Sequence, residues 1–78
     1  PEYTAEAIKA RIQGTFAVDI HLDDKGNPLE VELIDSPGFG MDERIVNALK
    51  LAKYSPKRDS SGKGLETWIT IDFKLEIP

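Results

Sequence analysis

The sequence contains no cysteine. Disulfides and thiolate metal sites are therefore excluded, and the redox compartment of the chain stays open. Long apolar runs are also missing: none approaches the roughly 20 residues a membrane-spanning helix needs, and no basic-then-apolar signal segment opens the chain. Positive charge is in deficit, with 10 Lys and Arg against 14 Asp and Glu and a formal net charge of −4. Docking on phosphate backbones or anionic lipid needs an excess of Lys and Arg on some face, so nucleic acid is not expected as a partner. The one basic cluster, Lys50, Lys53, Lys57 and Arg58, reads as favourable charge at a helix C-terminus followed by a solvated turn.

What is present has the composition of a globular chain, 40% apolar and 31% charged over 78 residues. That length is enough for one domain over residues 1–78 with a single thin core, and too little for a cleft between lobes. A chain opening on Pro1 without an initiator Met is expected to be processed or excised from something longer.

Apolar periodicity divides the chain into elements. Tyr3, Ala7, Ile8 and Ile12 share one helical face, with Thr4 as N-cap and Gly14 as the stop. From Thr15 to Asp23 the period becomes two, placing Phe16, Val18, Ile20 and Leu22 on one face and Thr15, Ala17, Asp19 and His21 on the other. Asp24-Lys25-Gly26-Asn27 supplies a turn. Leu29, Val31 and Leu33 then alternate with Glu30 and Glu32 as the returning strand of a hairpin. Ser36-Pro37-Gly38-Phe39-Gly40 breaks that strand, with Phe39 expected to plug one end of the core. A second helix follows, capped by Asp42, running to about Lys53 and burying Ile45, Ala48, Leu49 and Ala52 beside Val46. Pro56 and a loop from Arg58 to Gly64 end it. The last strand sets Thr67, Ile69, Ile71, Phe73, Leu75 and Ile77 against Glu66, Trp68, Thr70, Asp72, Lys74 and Glu76. The fold class implied is α+β, with two helices packed on one face of a three-stranded sheet in the order α-β-β-α-β. The pattern alone lets the last strand lie antiparallel beside the first or parallel beside the second.

Reactive chemistry is scarce. His21, with Asp19 and Asp23 at period two, has the residue types of a metal grip, but a lone histidine between carboxylates on a solvated strand face accounts for the same residues, and no metal site is assigned. The acids and Gly26 after Asp19 lack the spacing and closing Glu of a calcium loop. Ser55, Ser60 and Ser61 lack an oxyanion-hole motif or a Gly-x-Ser-x-Gly turn. Gly62-Lys63-Gly64 is too short for a phosphate loop and precedes no helix. Neither a catalytic residue nor a cofactor is expected, so the chain does not read as an enzyme. The feature that stands out is the last strand, which nothing blunts before Pro78. If it forms a sheet edge, such a strand invites strand addition by an extended peptide, while Glu66, Asp72, Lys74 and Glu76 equally fit the role of charged gatekeepers against it.

The residues Pro1-Glu2-Tyr3-Thr4, Ala7, Arg11-Ile12-Gln13-Gly14-Thr15-Phe16, Lys25-Gly26, Ala48, Tyr54-Ser55-Pro56 and Ile71-Asp72-Phe73-Lys74-Leu75 together resemble the TonB C-terminal domain family across essentially the whole chain. Thr4 stands where that family often has Pro, Ala52 where it usually has Trp, and the acidic balance departs from its frequent positive charge. The resemblance implies an antiparallel sheet of order 2-1-3 with the last strand at an edge. It implies a periplasmic domain of an energy transducer, held in the inner membrane by an N-terminal anchor and linker and driven by a proton-motive motor complex of the ExbB/ExbD type. Its partner would be the TonB box, a short extended segment of outer-membrane receptors for siderophores, cobalamin and similar nutrients. Glu66, Thr67, Trp68, Ile69, Thr70, Ile71, Asp72, Phe73, Lys74 and Leu75 are then the candidate partner-binding residues, with Tyr3 and Arg11 as candidate secondary contacts. A homodimer through the same edge strand is a further expectation. The alternative keeps the fold without the transport role, as a TolA-like scaffold or an antirepressor-type sensor module.

Overall fold

The computed structural model describes residues 2–78; Pro1, one of the positions carrying the resemblance, lies outside them. The elements are α1 (Ala5–Lys9), β1 (Gly14–Leu22), β2 (Pro28–Leu33), α2 (Met41–Leu51), β3 (Lys57–Arg58), β4 (Gly64–Leu65) and β5 (Thr67–Leu75). β2, β1 and β5 form an antiparallel sheet in that order, and β3 pairs with β4 as a separate two-stranded ribbon. The sheet order is the expected one, with the last strand at an edge.

α1 starts as its sequence requires. Thr4 is extended, and its hydroxyl accepts the Ala7 N–H at 3.1 Å, which satisfies one of the free donors of the first turn. The helix stops sooner than the apolar spacing suggests, and Gly14 is not what stops it. Arg11 takes a left-handed conformation at φ 56; its N–H donates to the Ile8 carbonyl at 3.1 Å and the Ile12 N–H to the Ala7 carbonyl at 3.0 Å. Those two bonds make the Schellman ending that glycine usually provides, and Gly14 instead opens β1.

β1 carries the core. Val18, Ile20 and Leu22 are fully buried, joined by Ala7 of α1, Met41, Ile45 and Leu49 of α2, and Leu75 of β5. Burial of each large aliphatic side chain is worth about 1.5–3 kcal/mol. The β1–β2 register skips from His21↔Glu30 to Leu22↔Pro28, so Leu29 becomes the extra residue of a bulge and is half exposed. It does not continue the partly buried row of Val31 and Leu33 that simple alternation gives it.

α2 begins two residues earlier than expected. Gly40 at φ 76 occupies the cap position, Met41 opens the helix as a fully buried residue, and Asp42 sits inside the first turn. There its carboxylate accepts the Gly38 N–H at 2.9 Å and the Ser36 hydroxyl, so it pins the preceding loop rather than capping the helix. Phe39, between two left-handed glycines and itself at φ 54, is 51% exposed and plugs nothing. The helix ends at Leu51, leaving Ala52 extended and exposed outside the buried stripe.

Two turns of the same build close the hairpins. Asp23 Oδ1 accepts the Lys25 and Asn27 N–H groups at 2.8 and 2.9 Å, and Asp59 Oδ1 accepts those of Ser61 and Lys63 at 2.9 and 3.0 Å. Gly26 and Gly62 hold matching positions at φ 86 and 88. The second turn turns the expected Arg58–Gly64 loop into the β3–β4 ribbon. Gly26 differs from Gly62 in its surroundings: its N–H and C=O both bond within the fold, the carbonyl accepting the Tyr54 N–H at 3.0 Å. A Cβ on Gly26 would lie 1.8 Å from the Tyr54 carbonyl oxygen, whereas one on Gly62 meets open space.

Gly62→Ala is expected to cost about 1 kcal/mol for its left-handed backbone alone. Gly26→Ala should cost about 3 kcal/mol or more, because the Tyr54 backbone must also move. Urea unfolding of both variants measures the difference directly. The turn hydrogen bonds hold the carboxyls of Asp23 and Asp59 below the usual range, the Asn27 groups leading for the first and the Ser61 hydroxyl for the second. Both groups favour folding when ionised, so their contribution is complete above the ordinary aspartate value near ~3.9 and is lost as pH falls through the lower folded values. Asp23→Ala should therefore lower the melting temperature at neutral pH, and that deficit should shrink as pH falls below the ordinary aspartate value near ~3.9.

Candidate functional site

Backbone direction along the open edge follows from β1. Ala17 accepts the Ile34 N–H on its carbonyl at 2.9 Å and donates its own N–H to Asp35 Oδ2 at 3.0 Å, so its peptide groups face the β2 side. Successive residues of an antiparallel strand alternate, which turns the groups of Phe16, Val18 and Ile20 toward β5. Their register partners Phe73, Ile71 and Ile69 use their own groups in return. The N–H and C=O groups of Trp68, Thr70, Asp72 and Lys74 consequently point away from the sheet. Among the described residues, the only bond to any of these groups is a long one, 3.4 Å from the Thr67 hydroxyl to the Trp68 carbonyl.

The edge is also straight. β1 and β5 pair without a register shift from Gly14↔Leu75 to Leu22↔Thr67, and β5 contains neither Pro nor bulge. The opposite edge, β2, begins at Pro28 and carries the bulge. Proline and a bulge, two of the usual devices that discourage strand addition, thus protect one edge of the sheet and are absent from the other, which carries the exposed charges of Asp72 and Lys74.

Each face of β5 offers something different. On the helix side, Ile69, Ile71 and Phe73 are only half buried, and Leu75 alone is closed off. The cause is the placement of α2, which packs over β2. On the outer side, the Trp68 indole stacks on the His21 imidazole with centroids 4.8 Å apart and planes 9° from parallel, a cross-strand pair set by their direct register. Glu66 Oε2 lies 3.1 Å from His21 Nε2 and Glu30 Oε1 lies 3.6 Å from Nδ1. The Thr70 hydroxyl donates to Asp19 Oδ1 at 2.6 Å. Trp68 keeps 46% of its surface exposed.

The candidate residues Glu66 to Leu75 therefore divide by role. Trp68, Thr70, Asp72 and Lys74 present backbone to the edge and side chains to the outer face, while Ile69, Ile71 and Phe73 present half-covered apolar side chains to the other. Of the secondary candidates, Tyr3 is half buried and its hydroxyl donates to the Ile12 carbonyl at 2.8 Å. It lines a shallow groove with Glu2, Ile8, Glu76 and Pro78, beyond the C-terminal end of β5. Arg11 is exposed and serves to end α1. Asp19, His21 and Asp23 do not act together: Asp23 is committed to its turn and Asp19 to Thr70. Sequence reasoning placed His21 on the solvated face but missed its stack on Trp68. The signal that would reveal it is the β1–β5 register, which pairs residues whose numbers sum to a constant.

Residues 1–75 match the family described as Gram-negative bacterial TonB protein C-terminal. The chain is 36% identical over 78 residues to a Protein TonB of Vibrio cholerae serotype O1, covering 97% of this chain and 32% of that protein. It is 32% identical over 78 residues to Protein tonB2 of Pseudomonas aeruginosa, covering 96% of this chain and 28% of that one. The chain thus spans about a third or less of the length of the curated relatives it matches. No solved structure matches it significantly.

The His21–Trp68 stack should appear as a coupling. In a double-mutant cycle of His21→Ala and Trp68→Ala, the two single losses of stability should overlap by about 0.5–1.5 kcal/mol. Strictly additive losses would mean that the rings do not hold each other.

Proposed function

The chain belongs to the Gram-negative bacterial TonB C-terminal family, and on that premise we propose that it is the periplasmic grip of a TonB-type energy transducer. It binds the TonB box of outer-membrane nutrient receptors by adding that segment as a fourth strand beside β5. The observation that carries this reading is the row of outward N–H and C=O groups on Trp68, Thr70, Asp72 and Lys74, along an edge with no Pro and no bulge. The domain does no bond chemistry; its role is to hold.

The physics suits a reversible hold. Each inter-strand hydrogen bond is worth a net ~0.5–1.5 kcal/mol. An added strand also covers apolar surface on Ile69, Ile71 and Phe73, which α2 leaves half open. Against these gains stand the ordering of the peptide and the loss of its free motion. The balance favours an affinity on the order of micromolar. In the full-length protein, an anchor in the inner membrane and a linker would carry force from a proton-driven complex of the ExbB/ExbD type to this grip, and the paired strand would pass it to the receptor.

A strand-addition grip depends on backbone donors, which proline lacks. Thr70→Pro and Asp72→Pro each remove an N–H that faces the open edge and none that holds β5 to β1. Both variants should stay folded and lose about tenfold or more in affinity for a TonB-box peptide, read by amide NMR titration with a scrambled peptide as control. In the native domain the shifts should concentrate between Glu66 and Leu75. Undiminished affinity in both variants would exclude the β5 edge as the docking rail.

A further inference from the structure

The outer face of the sheet is acidic. Asp19 and His21 of β1 lie in register between Glu32 and Glu30 of β2 and Thr70 and Trp68 of β5. Glu66 and Asp72 extend the same face along the open edge, and the only formal cation among these positions, Lys74, is taken up by Glu76 at 3.0 Å. Glu66 and Asp19 each have a neighbour on their own sheet, in His21 and Thr70. Asp72 has none: its cross-strand partner is Ala17, which brings no polar group, and no hydrogen bond or ion pair reaches its carboxylate among the described residues. Four residues away on the same face, Trp68 has one side of its indole covered by His21 and remains nearly half exposed.

A strand added beside β5 places alternate side chains on this face and the others beside Ile69, Ile71 and Phe73. We propose that the segment the edge accepts is basic on its outer side. It would carry Lys or Arg opposite Asp72 and again opposite Trp68, with apolar residues at the positions between that face the helix side. The first cation pairs with the unpartnered Asp72 carboxylate. The second rests on the free part of the Trp68 indole and reaches Glu66 on the diagonal. This inference deepens the strand-addition reading and rests on it.

Three synthetic peptides separate the two claims. The sequence Thr-Val-Lys-Val-Thr-Val-Lys-Val-Thr puts its lysines at the required spacing and reads the same in both chain directions, so it serves parallel and antiparallel pairing alike. The controls replace both lysines by Gln or by Glu. Calorimetric and NMR titrations at low salt should give binding of the lysine peptide about five- to thirty-fold tighter than the Gln peptide, with the Glu peptide weakest. Raising salt to about 0.5 M should erase most of that advantage. Asp72→Asn should remove about two- to five-fold of it while leaving the Gln peptide unaffected. Equal binding of the Lys and Gln peptides, or an advantage untouched by Asp72→Asn, overturns the charge inference and leaves strand addition standing. Lysine-peptide binding that survives Thr70→Pro marks diffuse attraction and also overturns it. No binding by any of the three removes strand addition and this inference together.

Discussion

The rest of the structure depends on the pairing of β1 with β5. Their nine-residue register, unbroken from Gly14↔Leu75 to Leu22↔Thr67, decides three things at once. It brings Leu75 into the core beside Val18, Ile20 and Leu22. It sets Trp68 directly opposite His21, so that two rings that alternation alone leaves as isolated surface residues stack. Most importantly, it fixes which peptide groups of β5 are consumed by the sheet and which are not. Slipping the register by one residue would move every side chain to the other face and exchange the inward and outward peptide groups.

With β1 paired on both sides, the sheet has only two edges, and they differ in chemistry. β2 starts at a proline, carries a bulge and lies under α2. β5 is straight, longer and only partly covered. The helix layer is thus displaced toward the protected edge. That asymmetry leaves half-buried isoleucines and a phenylalanine on the strand whose backbone is also unpaired. Hydrogen-bonding capacity and apolar surface coincide along one line, which is the arrangement that gives an added strand both direction and affinity. At the far end of the sheet, the buried Gly26 ties the β1–β2 turn to the chain leaving α2 through the Tyr54 bond, so the two strands that back β5 are themselves held in place.

Particular residues show where reading the sequence succeeds and where it stops. The alternation in β1 and β5 is visible because period two needs no partner to be recognised. Thr4 is identifiable as a cap because capping is local. Phe39, Leu29, Ala52 and the Arg58–Gly64 loop are different. Phe39 is apolar, but three consecutive left-handed residues turn it outward. Leu29 loses its place in the partly buried row of Val31 and Leu33 to a bulge created by the pairing of Leu22 with Pro28. Arg11 ends α1 in a conformation that residue type does not favour, held by two bonds to the helix it terminates. The β3–β4 ribbon was hidden because its strands are two residues long; its Asp-x-x-Gly turn does repeat that of Asp23 to Gly26.

By itself, the sequence determined the number and kind of the main elements, the apolar face of each strand and the family, and it singled out the stretch from Glu66 to Leu75 as the candidate for the proposed docking. All of these follow from periodicity, local capping chemistry and residue patterns that a chain carries wherever it folds. Only the tertiary structure decided that the peptide groups of Trp68, Thr70, Asp72 and Lys74 face outward, that α2 leaves β5 half bare, and that Asp72 stands without a partner among the described residues while Trp68 rests on His21. Those properties belong to pairs of residues about 50 positions apart. They exist once a register and a packing arrangement have been chosen, because a strand seen alone has two equivalent edges and the choice between them is made by its neighbour.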